Sequence, residues 1–277
     1  MMSRSGWRVR TEMLGSNPML RVLSSLGLIS TGGLLAPRSR ASRVPSVGRT
    51  IDDVIERMID LGDRFEQRHG PRDGVLCFNR LYLAVTRGVK DAVEQPGYFH
   101  NPHMITQLDV LFAQLYFDAV DAVDQGARPA LAWRALFAVR DNEAILPIQF
   151  AAAGMNAHIN HDLPVALCEQ WKLERRRPSR SSDSYADFLK INQILKDEEE
   201  KQKRSLESGL LRELDRGQLG RLEDRLALWV VEDARARAWK DGSYLWDLRH
   251  LPLGRKLWLA TIDRAAGTLG EALLEQV

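Results

Sequence analysis

The chain has 277 residues, of which 44% are hydrophobic and 27% are charged, so its composition is that of a globular protein and excludes a fibrous or wholly disordered one. The net charge is +2, but residues 1–50 contain eight arginines, no lysine and one acid, which gives them +7 and leaves −5 for the remainder. Nucleic acids and anionic lipids are bound mainly by clustered Lys and Arg, so this acidic body argues against both as partners.

Residues 1–48 are predicted to lie outside the fold, because they offer Gly, Ser and Arg without a sustained amphipathic stripe. The segment is rich in arginine and poor in acids, as targeting peptides are. A disordered extension and a cleaved targeting peptide therefore both stay open. The most apolar stretch of this segment, VLSSLGLISTGGLLAP, is shorter and more polar than the roughly 20 apolar residues that span a bilayer, so no integral membrane association is predicted.

The two cysteines, Cys77 and Cys168, lie among apolar residues at helical spacing. Free cysteine in such surroundings behaves as a small buried hydrophobe, and two cysteines do not make a disulfide framework. This usage fits a reducing compartment, so a cytoplasmic location is predicted unless the N-terminal segment directs export.

Thr50, followed by Asp52 and Asp53, predicts the start of a first helix, because the hydroxyl can accept a backbone N–H and the acids favour the N-terminal end of the helix dipole. HGPRDG ends this helix, and a second is predicted over 75–93. After the loop QPGYFHNP, a third helix is predicted over 103–124, where apolar residues form one broad stripe. The stripe consists of Met104, Ile105, Leu108, Leu111, Phe112, Leu115, Tyr116 and Ala119.

Three prolines, Pro129, Pro147 and Pro164, are suited to the first turns of further helices. Beyond a Ser/Arg loop at 175–184, helices are predicted near 185–215, 219–240 and 255–276. No alternating strand pattern with a hairpin turn and no glycine-rich phosphate loop occurs. The sequence therefore predicts an all-α protein, with residues 49–277 forming a single compact domain of about 7–9 helices.

The segment FAAAGMNAHINHDLP, residues 150–164, places five polar side chains between apolar flanks. With about 100° of rotation per residue in an α-helix, His158, His161 and Asp162 share one face. Asn156 and Asn160 fall roughly opposite. Because a buried polar group left unpaired costs about 1–3 kcal/mol, these side chains need partners.

Three interpretations of this face stay open. In the first, His158, His161 and Asp162 join His100 or His103, from the loop YFHNPH, around a divalent Zn, Fe or Mn ion, since imidazole and carboxylate suit these metals. In the second, the same side chains perform metal-free acid–base chemistry or bind a ligand. In the third, they form a structural seam of hydrogen bonds. No spacing here matches a diagnostic metal motif.

Asp109 and Asp118 flank the stripe of the third helix, near its edges. There a carboxylate can either point into a pocket or lie at the boundary with solvent, and the boundary position is the commoner one for an acid.

Four segments carry a resemblance: FNRLYLAVT (78–86), LFAQLYFDAVDAV (111–123), GMNAHINHDLP (154–164) and ARARAW (234–239). Together they resemble an uncharacterised family of helical proteins common in actinobacteria, classed as a domain of unknown function. The resemblance covers about residues 50–270 and implies a helical fold without implying an activity.

The doublet His161–Asp162 also resembles the hallmark of the HD phosphohydrolases, which are all-helical and bind metal with a further upstream His and a downstream Asp. That resemblance would make His100 or His103 the upstream ligand. For the downstream position, the candidates are Asp183 and Asp187.

These observations favour a helical enzyme acting on a small molecule, with a pocket centred on His158, His161 and Asp162. The alternative is a non-catalytic helical module that binds a ligand or a partner, in which the same residues hold two helices in register.

Overall fold

Thr50 begins the first helix, α1 (Ile51–His69), through a capping box in the computed structural model, which describes residues 50–207, 220, 226 and 230–276. The Thr50 hydroxyl accepts the Asp53 N–H at 3.2 Å, and the Asp53 carboxylate accepts the Thr50 N–H at 2.7 Å. The sequence pattern predicted this start. The predicted tail over 1–48 lies outside the described residues.

The other elements follow in chain order: α2 (Gly74–Glu94), α3 (Pro102–Asp124), α4 (Leu131–Ala138), α5 (Pro147–Ala157), the π-helical turn π1 (His158–Asp162), α6 (Leu163–Leu173), α7 (Asp183–Glu207), α8 (Val231–Asp247) and α9 (Pro252–Leu273). The described residues contain no strand, so the prediction of an all-α fold is confirmed. None of the described helices combines the length and the apolar character needed to cross a membrane.

Two of the three helix-opening prolines lie where the sequence placed them, since Pro147 and Pro164 occupy the first turns of α5 and α6. Pro129 instead precedes α4, because Ala130 takes an extended conformation and the helix begins at Leu131. The helix predicted over 219–240 falls partly outside the described residues, and its described part continues to Asp247.

The helices pack around one continuous core. Helix α2 packs on α1, α5 and α7, helix α6 packs on α3 and α8, and helix α9 packs on α4 and α5. The turn π1 contacts α3, α4, α8 and α9. The short polar segment around His158 is therefore surrounded by helices from distant parts of the chain.

Helix α2 approaches α5 closely because Gly154 has no side chain. A Cβ atom at this position would lie 2.4 Å from the ring of Phe78, which is fully buried. Glycine reduces helix stability by about 1 kcal/mol relative to alanine, and here it allows the Phe78 ring to fill the space beside π1. Phe78 in turn lies edge-on to His158, with ring centroids 5.8 Å apart.

Candidate functional site

The π-helical turn π1 lies inside a helical segment that continues from Pro147 to Leu173. The Leu163 N–H donates to the His158 carbonyl, five residues earlier. Pro164 follows, and a proline has no N–H and crowds the carbonyl four residues before it, here that of Asn160. The wider π turn accommodates this proline without breaking the helix, and such turns are frequent at functional sites.

The carboxylate of Asp162 is the centre of the polar cluster in π1. It accepts hydrogen bonds from Nε1 of Trp133 at 3.1 Å, from Nδ1 of His158 at 2.9 Å and from Nδ1 of His161 at 2.7 Å. Burial acts to raise the pKa of Asp162, but the bonds from the two histidines outweigh burial and hold it below the usual value. Asp162 is therefore an ionised acceptor, and both histidines carry a hydrogen on Nδ1.

The two histidines differ in charge. Burial lowers the pKa of His158 despite its bond to Asp162, so this ring is neutral at pH 7. Burial acts in the same direction on His161, but the bond to Asp162 and the charges of Asp162 and Asp263 raise its pKa overall. Because neutral His158 has its hydrogen on Nδ1, its Nε2 atom carries a free lone pair.

Nε2 of His158 is buried and has no hydrogen-bond partner among the described residues. The ring is held by aromatic neighbours, with Phe112 stacked on it at a centroid distance of 3.5 Å and Tyr82 edge-on at 4.5 Å. A buried nitrogen without a partner is rare in native proteins and calls for an explanation.

A cavity of about 40 Å³ adjoins this ring and is lined by residues of α2, α3, α5, π1, α6, α7 and α8. Its walls are mostly aliphatic and aromatic, and four lining residues bear polar groups. Those four are Tyr82, Asp109, His158 and Arg235. One water needs about 10–15 Å³ measured this way, so the space suits a few waters or a very small ligand.

Asp109 and Tyr82 both present unused polar atoms in this region. Oδ2 of Asp109 and the hydroxyl of Tyr82 are buried and make no hydrogen bond of normal geometry. Burial raises the pKa of Asp109 to about 7, so the carboxyl group exchanges its proton near neutral pH. Burial also raises the pKa of Tyr82, helped by the charges of Asp109 and Asp162, so its hydroxyl stays protonated.

Arg235 brings a cation to the same cavity and is only 4% exposed. Its Nε donates to Oδ1 of Asn192 at 2.6 Å and its Nη2 donates to the carbonyl of Phe188 at 2.7 Å, while the guanidinium lies 4.1 Å above the Phe188 ring. Burial lowers its pKa to about 9. Among the residues that the structure describes, no carboxylate pairs with it.

Sequence reasoning did not identify Arg235, and it treated Asp109 as a boundary carboxylate. Asp109 is in fact buried, whereas Asp118 on the same helix is exposed. The burial of Arg235 was indicated by its position alone, since it lies between Ala234 and Ala238 on the apolar face of α8.

His100 and His103, predicted to meet the histidines of π1, have other surroundings. Nδ1 of His100 lies 2.8 Å from Oδ1 of Asp187, and the same carboxylate accepts the backbone N–H groups of His100 and Asn101. His103 is exposed and lines an open groove together with Glu174. The structure thus brings together His158, His161 and Asp162, while the hydrogen bonds and ion pairs described for His100 join it to Asp187 instead. The five-residue metal site stays a prediction.

A different group of metal-ligand types, His69, Asp73 and Asp141, has ligand atoms within 4.8 Å of one another, and it is the one such group found in the described part of the chain. Both oxygens of Asp73 already accept hydrogen bonds from Arg140, and one also accepts the Leu76 N–H. Because the positive charge of Arg140 already neutralises Asp73, the group is better explained as an ion pair beside a helix start.

Asn156 and Asn160 bond each other, and Asn156 also bonds helix α9. Nδ2 of Asn156 donates to the Ala266 carbonyl in α9 at 2.8 Å, and Nδ2 of Asn160 donates to Oδ1 of Asn156 at 2.9 Å. Asn156 therefore joins this segment to α9, and His161 approaches the same helix, with its Nε2 3.7 Å from Oδ1 of Asp263.

Comparison with known proteins identifies a family, but the function of that family is unknown. Residues 51–276 match a family described as "Family of unknown function (DUF5995)". No curated protein and no solved structure matches the chain.

Proposed function

Because the chain belongs to the DUF5995 family, whose function is unknown, we propose a function from its own residues: an enzyme that transfers protons to and from a small molecule in the cavity beside His158. The observation that carries this proposal is the free Nε2 of a neutral, buried histidine whose Nδ1 is fixed by Asp162.

His158 has the features of a general base. A carboxylate on Nδ1 fixes the tautomer, orients the ring and stabilises the imidazolium that forms when Nε2 takes a proton. Asp162 is itself held by Trp133 and His161, so the base rests on a fully hydrogen-bonded support. His161 contributes positive charge near Asp162 and is not among the residues that line the cavity.

Asp109 complements this base as a general acid. An acid–base pair works best when its pKa values lie near the operating pH, and the pKa of Asp109 is about 7. One proton leaves the ligand for Nε2 of His158 and one arrives from the carboxyl group of Asp109, so the ligand keeps its charge. The two groups then exchange their protons with solvent to restore the starting state.

The lining residues favour proton transfer over covalent catalysis. None of the described residues that line the cavity is Ser, Thr, Cys or Lys, and the raised pKa of Tyr82 makes its hydroxyl a poor nucleophile. Nε2 of His158 is the ring nitrogen left for a metal, but the group of described residues whose ligand atoms could jointly hold an ion, His69, Asp73 and Asp141, does not include it.

The test uses solvent deuterium, because proton transfer can be detected before the net reaction is known. The protein is incubated in deuterium oxide with a panel of short-chain acids, amides, alcohols and ketones, and each compound is then examined by mass spectrometry. We expect a compound that gains deuterium on carbon, seen after its O–H and N–H positions are exchanged back in ordinary water, or that converts to a product, and we expect His158→Ala to abolish the change.

The matched control is His250→Ala, which removes an exposed histidine. This variant should keep the full exchange rate. If no compound exchanges or converts, or if His158→Ala retains the wild-type rate, the proposal is wrong and the cluster is a structural one.

A further inference from the structure

Arg235 is a buried cation whose partners among the described residues are all neutral. Its Nε donates to the Asn192 side chain and its Nη2 to the Phe188 carbonyl, which uses two of its five N–H groups, and the Phe188 ring lies beneath its guanidinium, but none of these groups supplies a negative charge. Removing a charge from water is costly unless an opposite charge compensates it. Because Arg235 lines the cavity, an anion bound there would provide that compensation.

The residues that line the cavity indicate which kind of anion it can bind. Arg235 is the one cationic side chain among the described lining residues, and the rest of the lining is aliphatic or aromatic apart from Tyr82, Asp109 and His158. A phosphate group carries more charge and needs more donors than one guanidinium supplies. A carboxylate matches the planar fork of a guanidinium, and a short apolar chain matches the remaining walls.

The volume of the cavity also favours a small carboxylate over a larger anion. The cavity volume of about 40 Å³ suits a molecule of a few non-hydrogen atoms and excludes a nucleotide or a sugar phosphate. Asp109 does not oppose a carboxylate ligand when it is protonated, because it then carries no charge.

We infer that the cavity binds a short-chain monocarboxylate, with the carboxylate on Arg235 and the carbon chain between Asp109 and the ring of His158. This inference names the substrate class of the enzyme proposed above, and in that sense it rests on the proposed function.

Binding is measured by NMR titration of the full chain with propionate, and with propionamide as the neutral molecule of the same shape. We expect propionate to bind at least tenfold more tightly than propionamide. Arg235→Met should weaken propionate binding at least tenfold, while Arg235→Lys, which keeps the charge but loses the fork, should weaken it less. Arg237→Met is the matched control, because it removes the same charge from an exposed position on the same helix, and it should bind propionate as the wild type does.

Equal binding of propionate and propionamide by the wild type would overturn the inference, as would equal losses in Arg235→Met and Arg237→Met. Displacement of propionate by inorganic phosphate at similar concentrations would also overturn it. Circular dichroism checks that each variant is folded. If Arg235→Met does not fold, the comparison of the two ligands on the wild type, together with Arg235→Lys, decides the question.

The two proposals fail in different ways. Carboxylate binding that depends on Arg235, without any deuterium exchange, would overturn the proposed function alone. Deuterium exchange that depends on His158 but shows no preference for compounds with a carboxylate would overturn the monocarboxylate inference alone.

Discussion

The imidazole of His158 lies flat against the ring of Phe112, with 3.5 Å between ring centroids and 7° between ring planes. The bond from Nδ1 to Asp162 fixes the same ring at its edge. Stacking and hydrogen bonding together leave the ring no freedom to turn, so the nitrogen available to a ligand is Nε2.

The first prediction concerns the charge of His158. We expect nitrogen NMR of labelled protein to show a neutral ring with hydrogen on Nδ1, and a pKa below the ordinary 6.5. Phe112→Ala should admit water beside the ring and move this pKa towards its ordinary value, since burial is the cause of the shift. His161 provides the internal comparison, because its pKa is raised. A pKa for His158 at or above 6.5 in the wild type would contradict the assignment of a neutral base.

The second prediction is that Asp109 destabilises the fold at neutral and higher pH. Its pKa rises from 3.8 to about 7 on folding, so the folded state binds the extra proton and stability falls as pH rises from about 4 to about 7. At about 1.4 kcal/mol per pKa unit, the full effect is roughly 4 kcal/mol. We expect Asp109→Asn to be more stable than the wild type by roughly 2–4 kcal/mol at about pH 8 in urea unfolding, with the difference lost by about pH 4.

Asp118→Asn is the control for this experiment, because it removes an exposed carboxylate from the same helix and should change stability little at any pH. If Asp109→Asn has the same pH profile of stability as Asp118→Asn, then Asp109 is ionised in contact with water and cannot act as the acid.

The third prediction tests the close contact of α2 with α5. A methyl group at Gly154 would overlap the Phe78 ring, so Gly154→Ala should destabilise the fold by about 1–3 kcal/mol despite the better helix propensity of alanine. Gly220→Ala is the matched change at a helical position with open space around it, and it should be neutral or slightly stabilising. Equal unfolding midpoints for the two variants would mean that the contact between the helices is looser than described.

The fourth prediction concerns metal. Because the described residues whose ligand atoms lie close enough to share an ion are His69, Asp73 and Asp141, and no second ligand is grouped with Nε2 of His158, we expect protein purified without chelator to contain less than one equivalent of Zn, Fe or Mn. Dialysis against chelator should leave the melting temperature unchanged. One equivalent of metal that is lost in His158→Ala but kept in His250→Ala would instead establish the metal site.

Local features of the sequence were sufficient to predict the fold. The cap at Thr50, the stripe of α3 and the prolines at 147 and 164 act within one or two helical turns, so their effects can be read from neighbouring residues. The same reasoning placed His158, His161 and Asp162 together, since they lie within a single turn.

The cavity could not be predicted in this way, because its polar groups come from four distant segments. Asp109 lies at the edge of a stripe, where the sequence leaves burial undecided until α7 and α8 pack beside α3. Arg235 bonds Asn192 and Phe188, which lie 43 and 47 positions away, so these contacts cannot be read from its neighbours in the sequence. The pairing of His100 with Asp187 joins residues 87 positions apart, so nothing near either residue indicates it.

The π turn links two features of the sequence that otherwise look independent. It closes a loop of five residues where an α-helix closes four, so α5 and α6 are joined with one residue more than a plain helix would use. Deleting that residue would restore a continuous α-helix, but Pro164 would then lie in its interior at a cost of about 3 kcal/mol. Replacing Pro164 alone would remove the residue that the wider turn accommodates, so the extra residue would no longer be needed. In an alignment of related chains, a gap within 158–162 and the loss of this proline should therefore occur together, and chains with both changes should lack the geometry that frees Nε2 of the histidine.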